Sequence, residues 1–497
     1  MHEKKIIVVG GGVAGVCCVE ELDSLLSDGQ VPSTSDIDTD ANSHVWKIVF
    51  ITGSRGFIKI VTDTEKLGQI TESFNVGEVH VNKHFDSGRI TIIQEDVIGW
   101  NADKKTVSTK HSEINYDKLC ITTGASPKRS VIHENVLRIR DVENVQTLQD
   151  RLLDAKRVIL VGNGGIATEL AFELKNLEVI WVIRHSSIAA TYFDEAAAKF
   201  FEPNLLSGRQ TGEVKAEAKV DRYTVVHDEM SGEANDEIGR GAALGPHWLA
   251  KLGQTDTDSQ RRHVHVIRGA ELANLHENPQ TPSKNSLPNN FLQCHDWKVW
   301  AELSNGEIIG CDLIVEATGV TPNSDIWKRE CLQLKIADDN GILVDEHMRT
   351  NIENVYAAGD VCTAGWDTPH WAQIRLWTQA RQMGIYCARA MVVSNILQDI
   401  CFELFSHVTS FFGYKVILLG DFSATKLQKP YNLHFRITEK NEYVKIISKN
   451  SRIHGAVLIG NTDLEETMEN LILNQTDINQ IEDNLLDPQV DLEDYFD

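Results

Sequence analysis

The sequence predicts an α/β protein with two Rossmann-like units and a small α+β domain at the C-terminus. Three observations carry that expectation. Residues 4–9, KKIIVV, form a short β-branched run that breaks into Gly10-x-Gly12-x-x-Gly15 and an apolar stretch. The same order recurs from residue 157, in RVILVGNGGIATELAFELKNLEVIWVIRH. From about residue 405 the texture changes to strands and turns, as in VTSFFGYKVILLGDF and NEYVKIISKNSRIHGAVLIGN.

A strand buried on both faces needs no polar alternation, so KKIIVV is expected as a central parallel strand. A helix through about residue 27 follows, then a polar surface loop, SDGQVPSTSDIDTDANSH, and a second strand, WKIVFITGS. The second unit repeats strand, glycine turn, helix and strand with a shorter connection. Residues 203–263 interrupt the rhythm with polar, glycine-containing runs, expected as long and partly flexible insertions; HENPQTPSKNSLPNN is another. Order returns in KVWAELSNGEIIGCDLIVEATGVTPN, a hairpin-like turn at SNGE leading into a buried strand. WAQIRLWTQARQMGIYCARAM is expected as one long amphipathic helix, starting about ten residues after Asp360. Its Trp371 and Trp377 are expected to pack in the core. The expected divisions are 1–135 with 315–402, then 136–314 carrying the 203–263 insertion, then 403–497 with the acidic, aromatic end DLEDYFD.

Composition narrows the partners. The hydrophobic fraction of 42% suits full globular cores. Lys and Arg number 48 against 72 Asp and Glu, a net charge of −24. Phosphates are repelled by such a balance, which disfavours a broad nucleic-acid or anionic-membrane surface. There is no signal-peptide pattern and no apolar run of roughly 18 residues, so no membrane contact is expected. Nine cysteines stand at 17, 18, 120, 294, 311, 331, 362, 387 and 401, with no C-x-x-C among them. They are expected as reduced, mostly buried thiols, and no metal site is expected. A Cys17–Cys18 disulfide is not expected, because it would distort the glycine turn beside it. Neighbouring Cα atoms lie about 3.8 Å apart, below the usual span of roughly 4.4–6.8 Å.

The glycine motifs carry the chemistry. Gly10 permits a tight turn, Gly12 lets backbone approach a pyrophosphate, and Gly15 allows close helix–strand packing. The helix start offers amide donors and the positive end of its dipole. Gly162, Gly164 and Ala167 repeat the pattern, so two dinucleotide sites are expected. An acid at the tip of the second strand usually holds ribose hydroxyls. In the first unit Thr52 or Ser54 stands there, with Ser54 and Arg55 as candidate contacts. In the second unit Ile183 replaces the acid and Arg184 follows, which tolerates a 2′-phosphate and favours NADPH or dual use. Three further strands end in small-residue turns: KLCITTGA with Thr123, Gly124 and Ala125, IVEATGVTPN with Gly319, and VYAAGD with Gly359 and Asp360. Backbone can approach a cofactor at each. Asp360 could accept bonds from sugar hydroxyls or cap a helix.

Taken in order, these five motifs resemble the pyridine nucleotide-disulfide oxidoreductase superfamily over roughly residues 4–395, apart from the insertions. The resemblance implies a glutathione reductase-like fold with FAD in the first, discontinuous domain and NAD(P)H in the second. It implies hydride transfer from nicotinamide to flavin, with Asp360 at the ribityl-phosphate region and GASPK at the domain crossing. Lys59 falls near a lysine beside the flavin ring in such enzymes, and Glu169 matches their helix glutamate. A Lys59–Glu169 pair is therefore expected as the catalytic pair. The alternative for Lys59 is a stem laid along apolar surface from a helix. VVGGGVAGVCCVEEL, RGFIKIVT, EVIWVIRH, GAALGPHW and LEDYFD resemble a eukaryotic branch of the superfamily. That branch implies oxidative-stress defence, nuclear and cytoplasmic residence, and protection of the tRNA ligase complex as a protein partner.

One departure governs the functional expectation. The superfamily's disulfide reductases place redox cysteines after the first domain's second strand, but SRGFIKIVTDTEKLGQ has none. An NAD(P)H:acceptor oxidoreductase with an external acceptor is expected. The alternative is a redox-sensing FAD/NAD(P)H binder with little turnover.

Overall fold

The structure is a computed structural model describing residues 3–27, 45–139, 142–207, 218–226, 263–277, 287–293, 296–393 and 395–490. The expected loop at 28–44, most of the 203–263 insertion including GAALGPHW, residues 278–286, Cys294 and the DLEDYFD end lie outside them.

Two five-stranded parallel sheets form the centre. The first runs Val355–Ala357, Lys118–Ile121, Glu3–Val9, Val45–Thr52 and Ile90–Gln94 in spatial order. The second runs Val136–Leu137, Leu313–Glu316, Arg157–Val161, Glu178–Ile183 and His263–Arg268. In both, the strand before the glycine turn lies in the middle. Ile6, Ile7, Val8, Ile159 and Leu160 have no exposed surface, the burial that their unbroken apolar runs require. Leu313–Glu316 belongs to the second sheet, two residues past residue 314. Ala125–Pro127 pairs antiparallel with Val320–Pro322 where the chain passes between the sheets. The SNGE turn joins Val299–Leu303 to Ile308–Cys311, with Gly306 at φ +84°.

The C-terminal unit is a six-stranded antiparallel sheet with the helix Glu465–Leu473 packed on it. Its edge strand corrects the insertion reading. Lys219–Val225, from inside the 203–263 segment, pairs residue for residue with Tyr431–Thr438, from Lys219 opposite Ile437 to Val225 opposite Tyr431. Most of its side chains are exposed, so backbone ladder bonds hold it, and Arg222 adds ion pairs to Glu482 and Asp483. Polar side chains hid the strand in the sequence, because no buried face required apolar alternation.

The long helix is also corrected. It spans Trp377–Val392, not the expected start near residue 371. The Gln379 side chain accepts from the Ile374 N–H at 2.7 Å and donates to the Ala372 carbonyl at 2.8 Å. Those bonds serve the backbone before the helix as a helical turn would. Among the described residues no helix is long and apolar enough to cross a membrane.

A hairpin of the first domain, Phe57–Lys66 with Glu72–His80, reaches the C-terminal unit. At its tip the buried Glu469 carboxylate accepts the N–H groups of Gln69, Ile70 and Thr71 at 2.6, 3.0 and 2.7 Å. The Thr71 hydroxyl donates to it as well. Two of the three amides, those of Ile70 and Thr71, are buried and have this one acceptor group. Replacing Glu469 with alanine should destabilise the protein by about 3 kcal/mol in urea unfolding, with new protease cleavage at residues 67–71.

A second junction is built on a buried histidine. His407, buried on Ser406–Phe411, bonds through Nδ1 to the Thr378 hydroxyl in the first turn of the long helix, 3.1 Å away. Burial lowers its pKa from 6.5 to about 4. The unfolded chain takes up this proton near pH 6.5 and the folded chain only near pH 4. Stability should therefore be full above pH 6.5 and fall toward pH 4, on the order of 3 kcal/mol for this residue. Thermal unfolding across that range should show the slope, and His407→Gln should lose part of it.

Candidate active site between the two glycine turns

One steric solution recurs at both turns. Gly10 has φ +123°, and a Cβ there would stand 2.2 Å from the Thr122 carbonyl oxygen. Gly162 has φ +130°, and its Cβ would stand 2.2 Å from the Ala317 carbonyl oxygen. Each turn is pressed against the end of a neighbouring strand, so a side chain cannot enter. The third positions differ. A Cβ on Gly15 would meet the Gly10 carbonyl at 2.0 Å, whereas Ala167 is accommodated with no exposed surface. The middle glycines, Gly12 and Gly164, have nothing within 4 Å of a Cβ position.

Both line a cleft shared by the two domains. Lys59, Glu316, Asp360 and Trp377 line it with Gly12 and Gly164. The helices Val13–Ser27 and Gly165–Glu173 begin at its wall. Open space over a glycine turn, beside a helix start, fits the pyrophosphate of a dinucleotide. The residues present therefore fit two such groups.

Lys59 stands on the strand Phe57–Lys66, so the helix alternative for it is overturned. Its N–H donates to the Gly11 carbonyl at 2.9 Å, which fixes the strand against the first glycine turn. Its ammonium lies 5.6 Å from the centre of the Trp377 ring. Trp377 thus borders the cavity, contrary to the core expectation, whereas Trp371 is core, stacked on Trp366 at 5.3 Å. Glu169 is buried on Gly165–Glu173, and burial followed by its charge raises the pKa of Tyr192.

The other expected residues divide by position. Gly124, at φ +65°, and Gly319, at φ +98°, line the cavity where the chain crosses between domains. Thr123 bonds the Asn323 carbonyl at 3.0 Å, and Ala125 is buried in the crossing pair. Asp360 lines the cavity, and its carbonyl accepts from Arg375 Nε at 2.9 Å. Gly359 has φ +76° and abuts Ala14, where a Cβ would come within 2.7 Å. Ser54 and Arg55 are exposed at the second-strand tip. Arg184 is half exposed, with Glu271 4.0 Å away.

Two carboxylates were missed in the sequence. Asp96 accepts the Ser54 N–H at 3.3 Å, so an acid does stand beside the second-strand tip, supplied by a later segment. Glu316 ends an apolar strand and lines the cavity, accepting the Ser130 N–H at 3.1 Å; Arg138 lies 2.7 Å from its other oxygen. An acid at the end of IVEATG was a legible signal. Asp96 was not, because its place depends on how strands are ordered.

No cysteine lines the cavity among the described residues. Cys17 is buried, and burial raises its thiol pKa to about 12. It is a packing residue rather than a reactive thiolate.

Two glycine-turn sheets facing one cavity define a two-dinucleotide oxidoreductase fold. The chain belongs to the pyridine nucleotide-disulphide oxidoreductase family, whose signature matches residues 4–234 and 264–384. FAD and NAD(P)H are the cofactors of that family. Residues 407–476 match the rubredoxin NAD+ reductase C-terminal domain. The chain is 40% identical to mouse "pyridine nucleotide-disulfide oxidoreductase domain-containing protein 1", covering 99% of this chain and 98% of that one. The fold is shared with putidaredoxin reductase in its covalent complex with putidaredoxin, at TM-score 0.63, 14% identity and 99% and 98% coverage. It is also shared with the water-forming NADH oxidase of Lactobacillus brevis, at TM-score 0.60, 15% identity and 99% and 94% coverage.

The glycine geometry sets an expected outcome. Gly10→Ala should yield protein without bound flavin, seen as loss of the visible absorbance bands. Gly164→Ala, in open space, should keep flavin.

Proposed function

We propose that this chain is an FAD-dependent oxidoreductase that draws on NAD(P)H and delivers electrons to an acceptor outside its own sequence. The observation that carries the reading is the shared cavity, which Gly12 and Gly164 line from the two glycine turns and to which no cysteine among the described residues contributes. When bound, FAD supplies hydride acceptance and onward electron transfer. The protein's part is placement and charge. Gly10, Gly12 and Gly15 admit one pyrophosphate, and Gly162, Gly164 and Ala167 the other. Asp360, Ser54, Arg55 and Asp96 supply polar contacts on the FAD side. Thr123, Gly124, Ala125, Gly319 and Gly359 bring backbone close to the cavity.

Lys59 is the candidate catalytic cation. Its ammonium borders the cavity beside Trp377, where it would stabilise developing negative charge. Glu169 is its proposed orienting partner. Arg184 gives the second site tolerance for a 2′-phosphate, while Glu271 beside it offsets part of that charge. Use of both NADH and NADPH follows.

Anaerobic titration tests the reading. NAD(P)H should bleach the flavin absorbance, and Lys59→Met should slow that bleaching about 10–100-fold with flavin content unchanged. Rapid reoxidation by oxygen, a quinone or a protein redox centre supports turnover. A long-lived reduced complex supports instead the redox-sensing binder. Protein lacking flavin altogether overturns both.

Oxidative-stress defence, nuclear and cytoplasmic residence, and the tRNA ligase complex as protected partner are proposed on sequence resemblance alone. Co-purification of the ligase complex with the tagged chain, dependent on NAD(P)H, is the corresponding test.

A further inference from the structure

Three cysteines far apart in sequence meet behind the cavity wall. Cys18 comes from Val13–Ser27, Cys120 from Lys118–Ile121 and Cys387 from Trp377–Val392. None has exposed surface. Cys18 Sγ lies 3.9 Å from Cys120 Sγ, and Cys120 Sγ lies 3.4 Å from Cys387 Sγ. All three sulfurs fall within 4.8 Å of one another. A triangle with these sides has a centre about 2.0–2.4 Å from each corner, which brackets the usual metal–thiolate bond of about 2.3 Å.

We propose that Cys18, Cys120 and Cys387 form a binding site for one soft monovalent cation of the copper(I) class. Ligand type selects softness, because only sulfur is offered: among the described residues no histidine or carboxylate joins the group. Ligand number argues against zinc, whose structural sites are four-coordinate. Charge argues against any divalent ion, because the site is fully buried and holds no charged neighbour in the group. A monovalent ion reaches neutrality with a single thiolate. On binding, one S–H bond is replaced by an S–metal bond and its proton leaves to solvent. The other two sulfurs donate lone pairs, and no electron is transferred.

The site's position gives it a structural consequence. The two helices supply Ala14 and Ala380 to the cavity wall, and Thr122, the residue directly after the strand Lys118–Ile121, lines it as well. A bound ion would tie together the helix, strand and helix that form the first cofactor cradle.

The test uses the full chain as purified, incubated with copper(I) supplied as its bicinchoninate complex and then desalted. The expected result is one retained copper per chain by mass spectrometry, a raised unfolding temperature, and X-ray absorption showing a shell of three sulfurs at about 2.3 Å. Cys18→Ala and Cys387→Ala should each lose the copper. Cys311→Ala, a buried thiol in the other sheet's domain, should keep it. Circular dichroism and flavin content confirm that each variant is folded, and Cys18→Ser serves where an alanine variant is not. Copper that washes off the unmodified chain overturns the proposal. So does copper retained equally by the Cys18 and Cys387 variants, or a shell containing nitrogen or oxygen.

Discussion

The architecture depends on a steric constraint at two places: a glycine turn held against the carbonyl end of a neighbouring strand. At Gly10 the obstacle is Thr122, and at Gly162 it is Ala317. A side chain at either position would need about an ångström of backbone retreat, and the retreat would open the parallel sheet beside it. The close approach also aims each following helix at the cavity. Cofactor space and sheet packing are therefore one geometric condition, and a change that spoils either spoils both.

Packing around the first turn extends the constraint. Gly359 and Gly384 both abut Ala14, where Cβ atoms would meet Ala14 Cβ at 2.7 Å and its carbonyl oxygen at 2.3 Å. The first helix, the Gly359–Val361 turn and the long helix thus close on one another through small residues. Asp360 and Trp377 are set at the cavity by that closure. Cys18, Cys120 and Cys387 are buried where the first helix, the strand Lys118–Ile121 and the long helix pack together.

The domains are held by polar contacts across long sequence separations. Glu469 receives the tip of a hairpin some four hundred residues earlier in the chain. That hairpin also carries Lys59 and bonds the first glycine turn. Lys445 pairs with Asp194, joining the C-terminal sheet to the second domain at 2.5 Å. The cavity is therefore braced from outside by a domain that contributes no lining residue to it among those described.

Features with a local cause were legible in the residues alone. Unbroken apolar runs required strands buried on both faces, and the glycine spacing required turns that open onto helix starts. The cysteine-free RGFIKIV segment likewise followed from reading the chain. Tertiary structure decided what depends on partners distant in the chain. The edge strand Lys219–Val225 had no buried face to mark it, since its stability lies in backbone pairing with Tyr431–Thr438. The start of the long helix was set by the Gln379 side chain serving the backbone ahead of it. Asp96 reaches the second-strand tip, and three cysteines meet, only because parallel sheets bring together strand ends that the sequence keeps far apart.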